Sequence, residues 1–298
     1  MTRRLAALGT LLFTALLMLP ALAAGAEAAH GEEEAAFDPS QEFALEPYVS
    51  LEVGPLDLSI NKAVIYLLLA SVICIGLGLF VIRGGLRMRP TGAQNVVELA
   101  YEFVERQIAR QTLPSKVYSR YFPFIATLFM FIAVNNMISF IPLPVSHEHG
   151  TFPGGIPDFG LYAATANINV TLTLTVLTFV ISHFEGVKAH GPAGYVKTFV
   201  PDAPKLIKPF IFALEVLSQI LRLVSLSVRL FANLLAGHLL IIMSAGFLVL
   251  LGNFFGLIAI PVGVFFYVFE WVLIAGLQAF IFAMLSGIYI GFAVEAPH

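Results

Sequence analysis

Charge is what this sequence has least of. Only 12% of its 298 residues are Asp, Glu, Lys or Arg, about half of the roughly 25% with which a soluble domain covers its water-facing surface. Cysteine occurs once, as Cys74 within an apolar run, which excludes a disulfide scaffold and leaves a small helix- or lipid-facing residue. There is no basic excess either: 16 Lys and Arg stand against 19 Asp and Glu, a net charge of −3, which excludes a nucleic-acid binder. Neither a Ser-His-Asp arrangement nor a Gly-rich phosphate loop occurs in a suitable context, so catalysis by the chain itself is not expected. What is abundant is apolar: 58% hydrophobic residues and a mean hydropathy of +0.88. Length alone allows about two soluble domains. Composition overrides that and makes the chain an integral membrane protein.

The few charges are unevenly placed. From Glu27 to Asn61 there are nine acids and no Lys or Arg, whereas Arg83 to Arg120 holds seven basic residues against three acids. Leu143–Asp158 again lacks Lys and Arg, and basic residues return as Lys188, Lys197, Lys205 and Lys208. This alternation is the positive-inside pattern. It places the acidic N-terminal region and Leu143–Asp158 outside, the basic stretches in the cytoplasm and the C-terminus in the cytoplasm. Arg3 and Arg4, an apolar run from Leu5 to Leu19 and the small residues through Ala26 read as a secretory signal over residues 1–26. A retained helix is its alternative. Residues 27–61 then form an acidic exported segment, and 62–298 a membrane domain.

A spanning helix needs about 20 apolar residues. Ala63–Ile82, Tyr121–Pro142 and Phe159–Ser182 meet this, the third with enough Thr and Asn to require partner helices rather than lipid. Between the first two, Gln94–Thr112 alternates apolar and charged positions as a one-sided helix lying on the cytoplasmic surface. Residues 209–251 and 254–293 are two helical runs of forty-odd residues, roughly 60–65 Å each at 1.5 Å per residue, twice the ~30 Å hydrocarbon thickness. The expected architecture is all-α, with about five membrane-embedded helices and the last two forming a long, strongly tilted hairpin.

That hairpin holds the intramembrane charges. Glu215, Arg222 and Arg229 are spaced seven apart and, with Ser218, Ser225 and Asn233, form one row along the helix. Each charge within a span costs about 2.5–3.5 kcal/mol even on lenient scales, so such a row reads as functional. Glu215 and Arg222, two turns apart, can instead simply pair. His238 lies nine residues past Arg229, which is half a turn around the axis. Two polar routes therefore flank one arginine. The route through Glu215, Ser218 and Ser225 opens to the cytoplasm, and the one through His238 and the last helix opens outward. A guanidinium never gives up its proton. Arg229 can block leakage between the routes and lower the pKa of a passing carboxylate by about 1–3 units.

The run Ser225-Leu226-Ser227-Val228-Arg229-Leu230-Phe231-Ala232-Asn233-Leu234-Leu235-Ala236-Gly237-His238 resembles the signature of subunit a of the F-type ATP synthase. Leu277-Gln278-Ala279-Phe280-Ile281-Phe282 is similar to the family's motif on the final helix, and Asn169-Val170-Thr171-Leu172 and Glu98-Leu99 fall in the family's order. The resemblance covers about Leu56 to Gly291. It implies a non-catalytic, proton-translocating stator subunit of a bacterial inner membrane, with the mitochondrial inner membrane as the alternative. The implied partners are a ring of c subunits, the subunit b stalk and the lipid bilayer. The implied ion is H⁺ ahead of Na⁺, and no cofactor is implied. Arg229 becomes the arginine facing the ring carboxylate, with Asn233 and Gln278 near it, Glu215 in the cytoplasmic half-channel and His238 in the outer one. Two positions depart from the family's pattern. In relatives with a histidine at the position of His238, an acid usually stands seven residues before the glutamine, where this chain has Trp271, and Glu270 stands eight before. Pairing of Glu270 with His238 thus requires a local bulge or a shifted helix. Asn167 also replaces a frequent acid.

The rival readings are a secondary ion transporter and a membrane subunit of a respiratory complex. The first calls for repeated halves, which the sequence lacks. The second calls for paired axial ligands, which His183, His190 and His238 do not present on facing spans. His147-Glu148-His149 reads as a solvated loop tip. A stator role predicts a buried, unpaired arginine.

Overall fold

The computed structural model describes residues 59–84, 92–141, 143–152, 156–199, 206–251 and 254–295, together with 45, 47–50, 52–53, 56–57 and 204. The expected signal segment, and most of the acidic segment, lie outside the described residues. Among the described residues four short strands come first: β1 Pro47–Val49, β2 Glu52–Val53, β3 Leu56–Asp57 and β4 Ile60–Asn61, with β1 pairing β4 and β2 pairing β3. Helix α1, Lys62–Arg83, starts where the Asn61 side chain accepts the Val64 N–H at 3.1 Å, satisfying one orphan donor of its first turn.

The one-sided segment folds as α2 Ala93–Phe103, a π turn Val104–Ala109 and α3 Arg110–Thr112. Its Val104, Ile108 and Leu113 are buried with Tyr121, Phe122 and Ile125 of α4, Tyr118–Ile138, and with Ala283 and Ile290 of the last helix. That last helix approaches closely because it is small on this face: an added methyl at Gly287 or Gly291 would overlap Thr112.

Strands β5 Leu143–Phe152 and β6 Ile156–Gly160 pair antiparallel. The third long helix, α5, is Ile168–His190 rather than Phe159–Ser182. Phe159 and Gly160 are taken by the ladder to Pro144 and Leu143, and Asn167, extended at φ −102° and ψ 124°, caps the helix by accepting the Asn169 N–H. At the other end the helix continues past Ser182 because its first charge, Glu185, is buried and bonded rather than solvated: Tyr121 Oη donates to Oε2 at 2.5 Å and Arg120 Nη2 to Oε1 at 3.2 Å. Gly191, at φ +73°, turns the chain into α6, Pro192–Thr198.

Helix α7, Lys208–Leu251, has 44 residues, about 66 Å at 1.5 Å rise. After it come α8 Phe254–Phe269, a π turn Glu270–Ile274 and α9 Ala275–Val294. Among the described residues five helices, Lys62–Arg83, Tyr118–Ile138, Ile168–His190, Lys208–Ser244 and Ile260–Val294, are long and apolar enough to cross a membrane. The chain is all-α in its long elements. It divides into two compact units: Leu45–Ile141 with Tyr162–Leu235 and Trp271–His298, and a second whose described part lies within Pro142–Leu161 and Ala236–Glu270.

Candidate functional site

In the larger unit, the row read from the sequence on α7 splits in two. Leu226, Ser227, Leu230 and Leu234 form the buried face, while Ser225, Arg229 and Asn233 are exposed, in company with the exposed Leu217, Leu221, Val224 and Val228. Arg229 forms no ion pair or hydrogen bond with any described residue; Tyr289 of α9 is the ring within its electrostatic reach. Arg229 lies on the chain's own apolar surface, so any burial of this arginine must come from a second molecule. Gln278 is buried and joined by no hydrogen bond to Arg229 or Asn233.

Glu215, Ser218 and Arg222 are only partly exposed. Gln219 Nε2 donates to Glu215 Oε1 at 2.9 Å, Arg222 Nη2 lies 3.9 Å from the same oxygen, and the Arg222 guanidinium stands 5.9 Å from the Tyr289 ring centre. The Glu215–Arg222 separation is at the limit of a salt bridge between half-exposed groups and contributes little to stability. Glu215, Gln219 and Arg222 face a cavity of about 370 Å³ whose opposite wall is Thr175, Thr178 and Ser182 of α5. These hydroxyls recur at helical spacing on one buried face of α5. Each donates within its own helix: Thr175 to the Thr171 carbonyl at 2.8 Å, Thr178 to Leu174 at 3.1 Å and Ser182 to Phe179 at 2.9 Å. The polarity of the third helix was legible as a demand for partners. The identity of those partners, and the place of Gln219, His183 and Tyr289 in the same cavity, was not.

In the smaller unit His238 and Glu270 are together. His238 Nδ1 lies 2.9 Å from Glu270 Oε1, and the two side chains are 3% and 2% exposed. With a carboxylate the imidazole N–H donates; with a carboxylic acid the O–H donates to Nδ1. One proton lies between them either way. Glu270 Oε2 is buried with no hydrogen-bond partner among the described residues. Of the two alternatives, a local bulge or a shifted helix, the structure has the bulge: Glu270 opens the π turn Glu270–Ile274. A π turn closes i→i+5 rather than i→i+4 bonds and so accommodates one residue more than an α turn, which takes up the extra residue between Glu270 and Gln278. A neighbour missed in the sequence is Gly237. A methyl there would overlap the Glu270 carboxyl, so only glycine lets that acid lie across the helix beside His238.

Among the described residues no three His, Cys, Asp or Glu side chains converge as a metal site requires. The side chains of His147, Glu148 and His149 lie outside that description.

A family profile described as "ATP synthase A chain" matches residues 64–291. The chain is 34% identical over 268 residues to ATP synthase subunit a of Brucella ovis, covering 88% of this chain and 99% of that one. The same figures hold for ATP synthase subunit a of Brucella suis. To ATP synthase subunit a 2 of Chlorobaculum tepidum it is 32% identical over 262 residues, covering 84% of this chain and 69% of the relative.

Proposed function

Because the chain belongs to the ATP synthase A chain family, we propose that it is the proton-translocating stator subunit of an F-type ATP synthase and provides two offset half-channels. The observation that carries this is the exposed Arg229. A guanidinium on the apolar face of a helix able to span a membrane cannot rest against acyl chains without a cost of about 2.5–3.5 kcal/mol or more. A partner protein that brings a carboxylate into the membrane removes that cost. A ring of c subunits with one acid each answers this requirement, with Asn233 beside Arg229 on the same open face and Gln278 behind it on the last helix.

Glu215, with Ser218 and Ser225, leads from the cytoplasm to the ring. His238 and Glu270 lead from the ring to the outside. A ring carboxylate arriving at Arg229 loses its proton, because the fixed positive charge lowers its pKa by about 1–3 units, or about 1.4–4 kcal/mol. The guanidinium itself accepts no proton, so the half-channels exchange ions only through the moving ring. Chemistry on ATP belongs to other subunits. The subunit b stalk holds this chain still. H⁺ is the carried ion ahead of Na⁺, since the outer pair is an imidazole sharing a proton with a carboxylate. The membrane is the inner membrane of a bacterium, with the N-terminus outside and the C-terminus in the cytoplasm, and the long hairpin lies tilted against the ring.

The test is Arg229→Ala in the assembled complex. In membrane vesicles ATP-driven pumping falls to background and passive proton leak rises. Pumping at the wild-type rate would falsify the reading.

A further inference from the structure

The cavity that holds Glu215 contains a second titratable side chain. His183 of α5 lines it from the wall opposite α7. Its ring is fixed on several sides: Phe179 at 3.9 Å between ring centres, Tyr195 of α6 edge-on at 5.8 Å and Phe199 at 6.4 Å. Nδ1 lies 2.9 Å from the Phe179 carbonyl oxygen. A carbonyl can only accept, so Nδ1 carries the hydrogen and Nε2 of the neutral ring is left as a proton acceptor.

Of the other groups facing this space, the hydroxyls, Arg222 and the tyrosines do not serve as carriers at neutral pH. The Thr175, Thr178 and Ser182 hydroxyls are committed as donors to helix carbonyls. Arg222 is permanently charged. Tyr289 is a phenol, ordinarily titrating near pH 10, and burial pushes the Tyr195 phenol higher still. Glu295, at the rim, is a second carboxylate facing the same space. The volume of about 370 Å³ and this polar lining admit water, which needs about 30 Å³ per molecule and two to four polar partners.

We propose that His183 is a proton-carrying residue of the cytoplasmic route, exchanging protons with Glu215 through the water of their shared cavity. Nε2 takes a proton from a hydronium ion arriving from the cytoplasmic side, giving the imidazolium and leaving water. It then releases that proton through water to the Glu215 carboxylate and returns to the neutral ring, while the Nδ1 hydrogen stays on the Phe179 carbonyl. The inference rests on the assignment of Glu215 to that route.

The test uses the whole ATP synthase in inverted vesicles, where the bath is the cytoplasmic side, with interior pH clamped. The pumping rate is read against bath pH for wild type, Glu215→Gln, His183→Asn and His183→Gln. Wild type shows a step between about pH 5 and 8, where an imidazole titrates. In the His183 variants the step is gone and the rate on its loaded, acidic side falls severalfold, while Glu215→Gln lowers the rate at every pH. Absence of the step in wild type overturns the proposal without recourse to any variant. A His183 variant that is slower yet keeps the step overturns it too, since lost packing alone does that. A Glu215→Gln complex pumping normally sinks the underlying assignment instead, and is thereby distinguished from failure of His183 alone.

Discussion

At the scale of single residues, the His238–Glu270 pair depends on a glycine. Gly237 leaves the space that the Glu270 carboxyl occupies against α7. Gly237→Ala is expected to displace that carboxyl from His238 and to lower ATP-driven pumping in a complex that still assembles, because the displaced group is the far end of a flexible side chain. Gly276→Ala is the control. A methyl there meets nothing within 4 Å, and pumping should be unchanged. Glu270→Gln tests the same pair chemically: it keeps the shape, removes the titratable proton and should slow pumping. An unaltered rate would remove Glu270 from the outer path. His238 and Glu270 were legible through the family resemblance, and the offset of Glu270 from the family's spacing called for a local bulge or a shifted helix. Gly237 was not, because an absent side chain becomes informative only when another residue is seen to occupy its place.

At the scale of elements, the amphipathic segment and the two long helical runs follow directly from hydrophobic patterning. The third helix shows where patterning stops. Its start was set by Asn167 capping the helix and by Phe159 pairing in β6, and its continuation past Ser182 by burial of Glu185; hydropathy reports neither. A charge that ends an apolar run can still continue the helix once it is paired. Tyr121→Phe removes the 2.5 Å hydrogen bond to Glu185 Oε2 and leaves a buried carboxylate oxygen short of a donor, at about 1–3 kcal/mol. The expected result is a lower thermal midpoint of the purified complex with pumping per assembled complex retained. Loss of pumping at an unchanged midpoint would instead make Tyr121 part of the proton path.

At the scale of the whole molecule, α7 divides one sequence stripe between two environments. Residues seven apart drift by about 20° per heptad on a straight α-helix. Two heptads therefore separate Glu215 from Arg229 by about 40°, enough to put the first in a cavity and the second on the open face. That face predicts a contact. With Cys74 replaced, cysteines at Ser225 or Val228 should cross-link on oxidation to cysteines scanned along the ring subunit, while cysteines at the buried Leu226 and Leu230 should not. Cross-linking from the buried positions and none from the exposed ones would reverse the assignment of the ring face.

Scarcity of charge by itself determined that this chain lies in a membrane, because too few polar groups exist to cover it with water. The position of the remaining charges singled out Arg229, since an intramembrane charge is too costly to be incidental. Tertiary structure alone decided which of those charges share a cavity, which meet across helices and which face outward. Those outcomes depend on side-chain volumes brought together from distant segments: a glycine under a carboxyl, a π turn that absorbs one residue, and a threonine face on α5 opposite Glu215. No local pattern contains them.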